Sequence, residues 1–244
     1  MCAAEERGLP LEVWWPSEPR ICSASFKGLF DSKNLPKWLS VKEDWPLVSS
    51  EILLKTQDDW ERVLRGSFSG YGDGSLPYLK SYYHFYTRDH QRWLRHLRSL
   101  EPRQEFVEKV RELLGGRDGG GGPVVGIHIR RGDHRHCIET SPTDLFIQKM
   151  RERVAAEPAT VFFVASDDER EKRGLREALG TEKILVGAEV LNRHTAKGGA
   201  DAFLDFLALS QCQEIWGSAG SSFSEVAAQY GAVPYVAIGG TGAS

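Results

Sequence analysis

The chain has 244 residues, 41% hydrophobic and 27% charged, with a formal net charge of −3. That is ordinary globular composition, and the length suffices for one large domain or two modest ones. The slightly acidic balance supplies no basic field for nucleic acid. No apolar run approaches the roughly 18 residues that a membrane span requires.

The N-terminus, MCAAEERGLP, is acidic where a secretory leader is basic and apolar, so no secretory address is expected. The four cysteines, Cys2, Cys22, Cys137 and Cys212, have no CxxC spacing. They indicate neither a zinc site nor a disulfide framework.

In chain order, the first half is interrupted by prolines at 10, 16, 19, 36, 46 and 77, and it holds six of the seven tryptophans. Helices are predicted over 50–65, 88–99 and 102–114. Pro102 suits a first-turn position, and Phe106, Val110, Leu113 and Leu114 form a stripe at helical spacing. Few strands are evident. The six glycines of GGRDGGGGP (115–123) fit neither helix nor strand and read as a connection. They divide the chain into a short or incomplete N-terminal domain, 1–119, and a second domain, 120–244.

The second domain is regular. Strands are predicted at 124–130, 160–166, 183–187, 214–218 and 234–238. Helices are predicted at 143–156, 168–179 and 199–211, with another over SFSEVAAQYG that a glycine stops. Continuous apolar strands alternating with helices indicate an α/β fold, a parallel sheet covered on both faces. Such sheets bind ligands beyond the carboxyl ends of their strands.

At the first strand end, alternation puts Gly126, His128 and Arg130 on one face and Val125, Ile127 and Ile129 on the other. Gly126 leaves room for a ligand or another backbone. Arg130 is placed to grip phosphate oxygens, with Arg131 and Asp133 in the loop beyond. An Arg–Asp surface pair beside a satisfied histidine fits the same residues. At the second end, either Asp167 or Asp168 suits a helix cap. Asp201 and Asp205 lie one turn apart, and core positions flank Asp205. A carboxylate so placed requires a partner, unless it is exposed; the two adjacent N–H donors of guanine fit it. At the fourth end, small residues lead into a helix for which Ser221 or Ser222 is a natural N-cap, and Glu225 gives Ser222 a capping-box partner. That helix start is also an anion site. GxGxxG, GxxxxGK[ST], GxSxG and HExxH are all absent from the sequence.

In order and spacing, these pieces resemble the GDP-fucose-dependent fucosyltransferases: the α-1,6-fucosyltransferases, protein O-fucosyltransferases and rhizobial nodulation fucosyltransferases. VVGIHIRRGD, ASDD at 165–168, and FLDFLALSQ followed by GSSFSEV carry the likeness, over roughly 115 residues. The resemblance implies a GT-B-like fold of two Rossmann-like domains and an inverting transfer of L-fucose from GDP-fucose to a glycan or protein hydroxyl. It implies no metal and no cofactor, and, in a eukaryote, the Golgi or ER lumen.

Residue by residue, it implies that Arg130 binds the diphosphate, that His128 and Asp205 read the nucleoside, and that Ser222, Phe223 and Ser224 line the nucleotide site. Arg131 and Asp133 belong to the first motif, and Asp167 and Asp168 match acidic positions of the second. Glu139 matches the presumed base after a one-residue shift. His134 stands where the α-1,6 enzymes have lysine, and Glu225 where they have glutamine. These departures and the short first half keep two alternatives open: a non-catalytic GDP-sugar-binding protein, and a transferase using another nucleotide sugar.

Overall fold

A computed structural model describes residues 11–15, 23–43, 51–54, 78–81, 90–115, 122–132, 134–187 and 195–239. The chain forms two compact units. One comprises Met1–Pro16 and Lys33–Leu100, the other Ser17–Ser32 and Glu101–Ser244. The sequence places its boundary at 119/120, whereas the units divide at Leu100/Glu101 and the second also takes in Ser17–Ser32.

In the first unit, β1 (Leu11–Trp14) pairs in parallel with β2 (Leu39–Lys42). Likewise β3 (Glu51–Leu54) pairs in parallel with β4 (Tyr78–Ser81). The second pair corrects the helix expected over 50–65 at its start: Glu51–Leu54 is extended, and 55–65 lies outside the described residues. A run as short as EILL has no periodicity that separates helix from strand, and here pairing with a distant segment decides. A helix follows at His90–Arg98, within the range expected, and Trp38 meets His96 edge to face.

The second unit begins with a single helical turn, α1 (Phe26–Leu29), capped by Ser25. The His90–Arg98 helix of the first unit is α2. The helix expected at 102–114 is α3 (Gln104–Leu113). Pro102 lies before it and forms an isolated antiparallel bridge with Phe30, so it is not a first-turn residue.

The remaining elements are β5 (Val124–Ile129), α4 (Arg135–Thr140), α5 (Thr143–Ala156), β6 (Val161–Ser166), α6 (Glu169–Leu179), β7 (Ile184–Val186), α7 (Ala196–Ser210), β8 (Glu214–Ser218), α8 (Ser222–Gly231) and β9 (Tyr235–Ile238). The strands and helices expected over 120–244 all appear, within three residues at each end. The sequence missed α4, whose six residues are too few to show a period.

The five strands β5 to β9 form one sheet in the order β7-β6-β5-β8-β9. All neighbours are parallel. The chain builds outward from β5 to β7, then returns to the other side of β5 with β8 and β9. The order therefore reverses between β5 and β8, and a crevice opens beyond their carboxyl ends.

Val125, Ile127 and Ile129 face Phe146 and Met150 of α5 and Leu175 of α6, with Phe162, Val164 and Trp216 from the flanking strands. Phe146, Met150 and Phe162 are fully buried, and each is worth roughly 1.5–3 kcal/mol of transfer free energy. On the opposite face, α7 packs against α3 and α8. There the space expected at Gly126 for a ligand is filled by protein. A Cβ at 126 would stand 2.9 Å from Leu209 Cδ2 and 3.2 Å from Cys212 Sγ. Glycine permits α7 to close on the sheet at this point.

Candidate functional site

His128 is on the α7 and α8 face of β5. Its register neighbours are Ala165 on β6 and Gly217 on β8. Two small neighbours leave open space beside the imidazole. That space belongs to a cavity of about 380 Å³ at the carboxyl ends of β5, β6 and β8.

The walls come from four segments. Strand β5 and the loop from it to α4 supply His128, Arg130 and His134, and the end of β6 and the residue after it supply Ser166 and Asp167. Helix α7 supplies Gly198, Ala202 and Asp205, and the β8–α8 turn with the start of α8 supplies Gly220, Ser221, Ser222 and Phe223. Gly198, Ala202 and Asp205 recur at helical spacing, so one face of α7 presents two small residues and a carboxylate.

The imidazole of His128 is 6% exposed. Burial, and secondarily the Arg130 guanidinium, lowers its pKa to about 3. The ring is therefore neutral at physiological pH. Its Nδ1 lies 3.1 Å from Ser224 Oγ and 3.5 Å from Ser221 Oγ. Phe223 lies against the same ring, with centroids 4.9 Å apart. Ser224 is fully buried behind His128 and not on the cavity wall.

Arg130 follows β5. Its N–H donates to Ser218 Oγ at 3.1 Å, and its guanidinium pairs with Asp167. Asp205 is 5% exposed, and its Oδ1 lies 2.7 Å from where a Cβ would stand at Gly187. Asp201, which the sequence grouped with Asp205, instead pairs with Lys197 at 3.7 Å.

The start of α8 differs from the expected capping box. Of the two N-cap candidates, Ser221 and Ser222, the structure uses Ser221, and it makes no side-chain cap hydrogen bond. Its hydroxyl faces His128 instead. Glu225 is exposed and does not line the cavity, so no carboxylate of α8's first turn faces it. The turn before α8 is held to α4: Ser141 Oγ accepts from Ala219 N at 2.9 Å, and Cys137 Sγ donates to Ala219 O at 3.3 Å.

Six of the expected residues therefore share one cavity: His128, Arg130, Asp167, Asp205, Ser222 and Phe223. Three others are turned elsewhere. Arg131 is 8% exposed and bonded to Glu171 and Thr143. Its side chain leaves the strand end on the side opposite Arg130, as alternation requires. Asp168 caps α6, accepting from Arg170 N at 2.9 Å. The Arg170 side-chain hydrogen bonds hold its carboxyl below the usual carboxylate range. Glu139 is exposed on α4, 3.5 Å from Arg135, and is not on the cavity wall. Asp133 lies outside the described residues.

The sequence reading named Ser221 only as a cap candidate and missed Ala202 as a wall residue. Ala202 was findable, because it sits three positions before Asp205 on the same helical face.

Comparisons with protein-family models and with curated protein sequences each find no match. Solved structures do match. NodZ α-1,6-fucosyltransferase soaked with GDP-fucose aligns with a TM-score of 0.61 at 13% identity, covering 97% of this chain and 87% of that one. Fucosyltransferase NodZ from Bradyrhizobium aligns with a TM-score of 0.58 at 14% identity, covering 93% and 84%. POFUT1 in its apo-form aligns with a TM-score of 0.50 at 14% identity, covering 76% of this chain but only 59% of that one. At such identity the likeness is one of architecture: the chain has the GT-B-like fold of the GDP-fucose fucosyltransferases.

Proposed function

We propose that the second unit binds a GDP-sugar and that the protein is an inverting glycosyltransferase, transferring L-fucose from GDP-fucose to a hydroxyl of a glycan or protein. One observation carries the reading. A cavity at the sheet's reversal point combines a cation, a buried carboxylate and a helix N-terminus without a side-chain cap. The structural likeness to proteins solved with GDP and GDP-fucose supports it.

Each group has a chemical task. Asp205 accepts the two adjacent N–H donors of guanine, and the neutral His128 and the Phe223 ring flank the nucleoside. Arg130 and the first N–H groups of α8 meet the diphosphate, where negative charge grows as the sugar departs. The cation and dipole stand in place beforehand, so the leaving group is stabilised without solvent reorganisation. No metal is assigned a role.

A second reading is a GDP-sugar-binding protein without transfer. It is favoured by the place of Glu139, exposed and beside Arg135, which leaves the acceptor hydroxyl without an assigned base.

Calorimetric titration with GDP, UDP and ADP tests the donor site, and GDP-fucose turnover tests the chemistry. GDP is expected to bind at least tenfold more tightly than the others, the worth of one good polar recognition element. Equal binding of all three would overturn the guanine assignment. Tight GDP binding with neither hydrolysis nor transfer establishes the second reading.

A further inference from the structure

Arg131 borders the cavity's main cation, yet its own side chain points away from the cavity into a set of committed bonds. Its Nε donates to Glu171 Oε1 at 2.7 Å. One terminal nitrogen donates to Thr143 Oγ1 at 2.8 Å, and Thr143 donates in turn to Glu171 Oε2 at 2.7 Å. The other terminal nitrogen donates back to the carbonyl of Arg130 at 3.0 Å. The Arg131 N–H donates to Asp167 Oδ1 at 2.7 Å, while the other oxygen of Asp167 pairs with the Arg130 guanidinium.

Both polar atoms of the Arg130–Arg131 peptide are thus held by side chains, and so is the N–H of Arg130 that precedes them. Ser218 takes the N–H of Arg130, Arg131 itself the carbonyl, and Asp167 the next N–H. This segment lies beyond the last ladder residue of β5, Ile129, so no strand pairing holds it. These side-chain bonds hold the backbone from which Arg130 leaves.

We propose that Arg131 is a positioning residue: anchored on α6 by Glu171 and on α5 by Thr143, it orients the Arg130–Arg131 peptide and so aims the Arg130 guanidinium into the cavity. The claim for binding rests on the reading of that cavity as a nucleotide site. The bonds from Arg131 reach Arg130 through its carbonyl and through Asp167, so its effect should fall on the phosphate part of a nucleotide and not on the base.

The test uses the full-length protein. Glu171→Gln keeps the shape and a hydrogen-bonding oxygen but removes the ion pair; Thr143→Val removes the second anchor more gently. GDP and guanosine are titrated against each, with urea unfolding as the stability control. The expected result is about a tenfold loss of GDP affinity in Glu171→Gln with guanosine within about twofold of the parent, and a smaller loss of the same kind in Thr143→Val. In an Arg130→Ala background, Glu171→Gln should add no further loss. Equal losses for GDP and guanosine, no loss of either, or the full loss persisting in the Arg130→Ala background would each overturn the proposal.

Nitrogen-15 relaxation of the Arg130 Nε–Hε group, assigned by its disappearance in Arg130→Ala, needs no ligand. It should report a rigid group in the parent and a mobile one in Glu171→Gln; equal mobility in both overturns the positioning role. If the parent protein binds neither GDP nor guanosine, the donor reading fails, and the relaxation measurement alone decides the positioning claim.

Discussion

Arg130 and His128 come from adjacent positions of one strand face, and their environments drive them apart. The Arg130 guanidinium pairs with Asp167 at the cavity wall, while burial empties His128 of its proton. If Arg130 meets the departing diphosphate, Arg130→Ala removes a contact that strengthens in the transition state. The expected cost is about 3 kcal/mol or more, roughly a hundredfold in turnover. Arg130→Lys does not restore it, because an ammonium lacks the planar fork. Circular dichroism should show both variants folded, and turnover of GDP-fucose within about threefold of the parent would contradict the role.

His128 gives a stability prediction with a definite sign. Its folded pKa, about 3, lies below the unfolded 6.5, so the unfolded chain binds the extra proton. The favourable contribution is complete above about pH 6.5 and is lost as pH falls toward about 3. His128→Gln should therefore flatten the decline in urea stability between about pH 7 and about pH 4.5 relative to the parent. An unchanged slope would mean that the imidazole is not held neutral.

At the scale of the element, α8 illustrates how packing reassigns a role that the sequence suggests. Gly231 reads as a helix stop, but it is the last helical residue, and the left-handed position falls on Ala232, with φ 58°. Gly231 is required for a different reason: a Cβ there would lie 1.9 Å from the carbonyl oxygen of Ser210, at the end of α7. The glycine permits two helices to approach, and the alanine carries the backbone strain. Ala232→Gly should stabilise the protein by about 0.5–1 kcal/mol in urea unfolding, since glycine occupies the left-handed cap without a Cβ clash. A destabilisation would place Ala232 in a contact that outweighs that relief.

At the scale of the molecule, the sheet carries its recognition at one end. The strand order reverses between β5 and β8, and the side chains that line the cavity reach it from β5, β6, α7 and the turn before α8. Ligand binding should therefore couple to the stability of the whole second unit. GDP at a hundred times its dissociation constant is expected to stabilise it by about 2.7 kcal/mol, with UDP and ADP at equal concentration giving less. Thermal unfolding with each nucleotide reads this directly; no shift with GDP would leave the cavity without a nucleotide.

What the sequence determined by itself was the second unit's alternation of strands and helices and the small set of chemistry-bearing residues at the strand ends. Both are local: buried strands are continuous apolar runs, and period 2 assigns His128 and Arg130 to one face before any fold is known. The tertiary structure decided what lay between distant segments. It turned EILL into a strand through its pairing with Tyr78–Ser81 and filled the space at Gly126 with Leu209 and Cys212. It also committed Arg131 to Glu171 and Thr143, and Asp168 to the cap of α6, while leaving Asp167 at the cavity. Neighbouring residues with the same chemistry, Arg130 and Arg131 or Asp167 and Asp168, cannot be told apart by composition or motif. Alternation along the strand separates the two arginines, but the partners are supplied by the fold: Arg131 is bonded to Glu171 and Thr143 and Asp168 caps α6, while Arg130 and Asp167 pair with each other at the cavity wall.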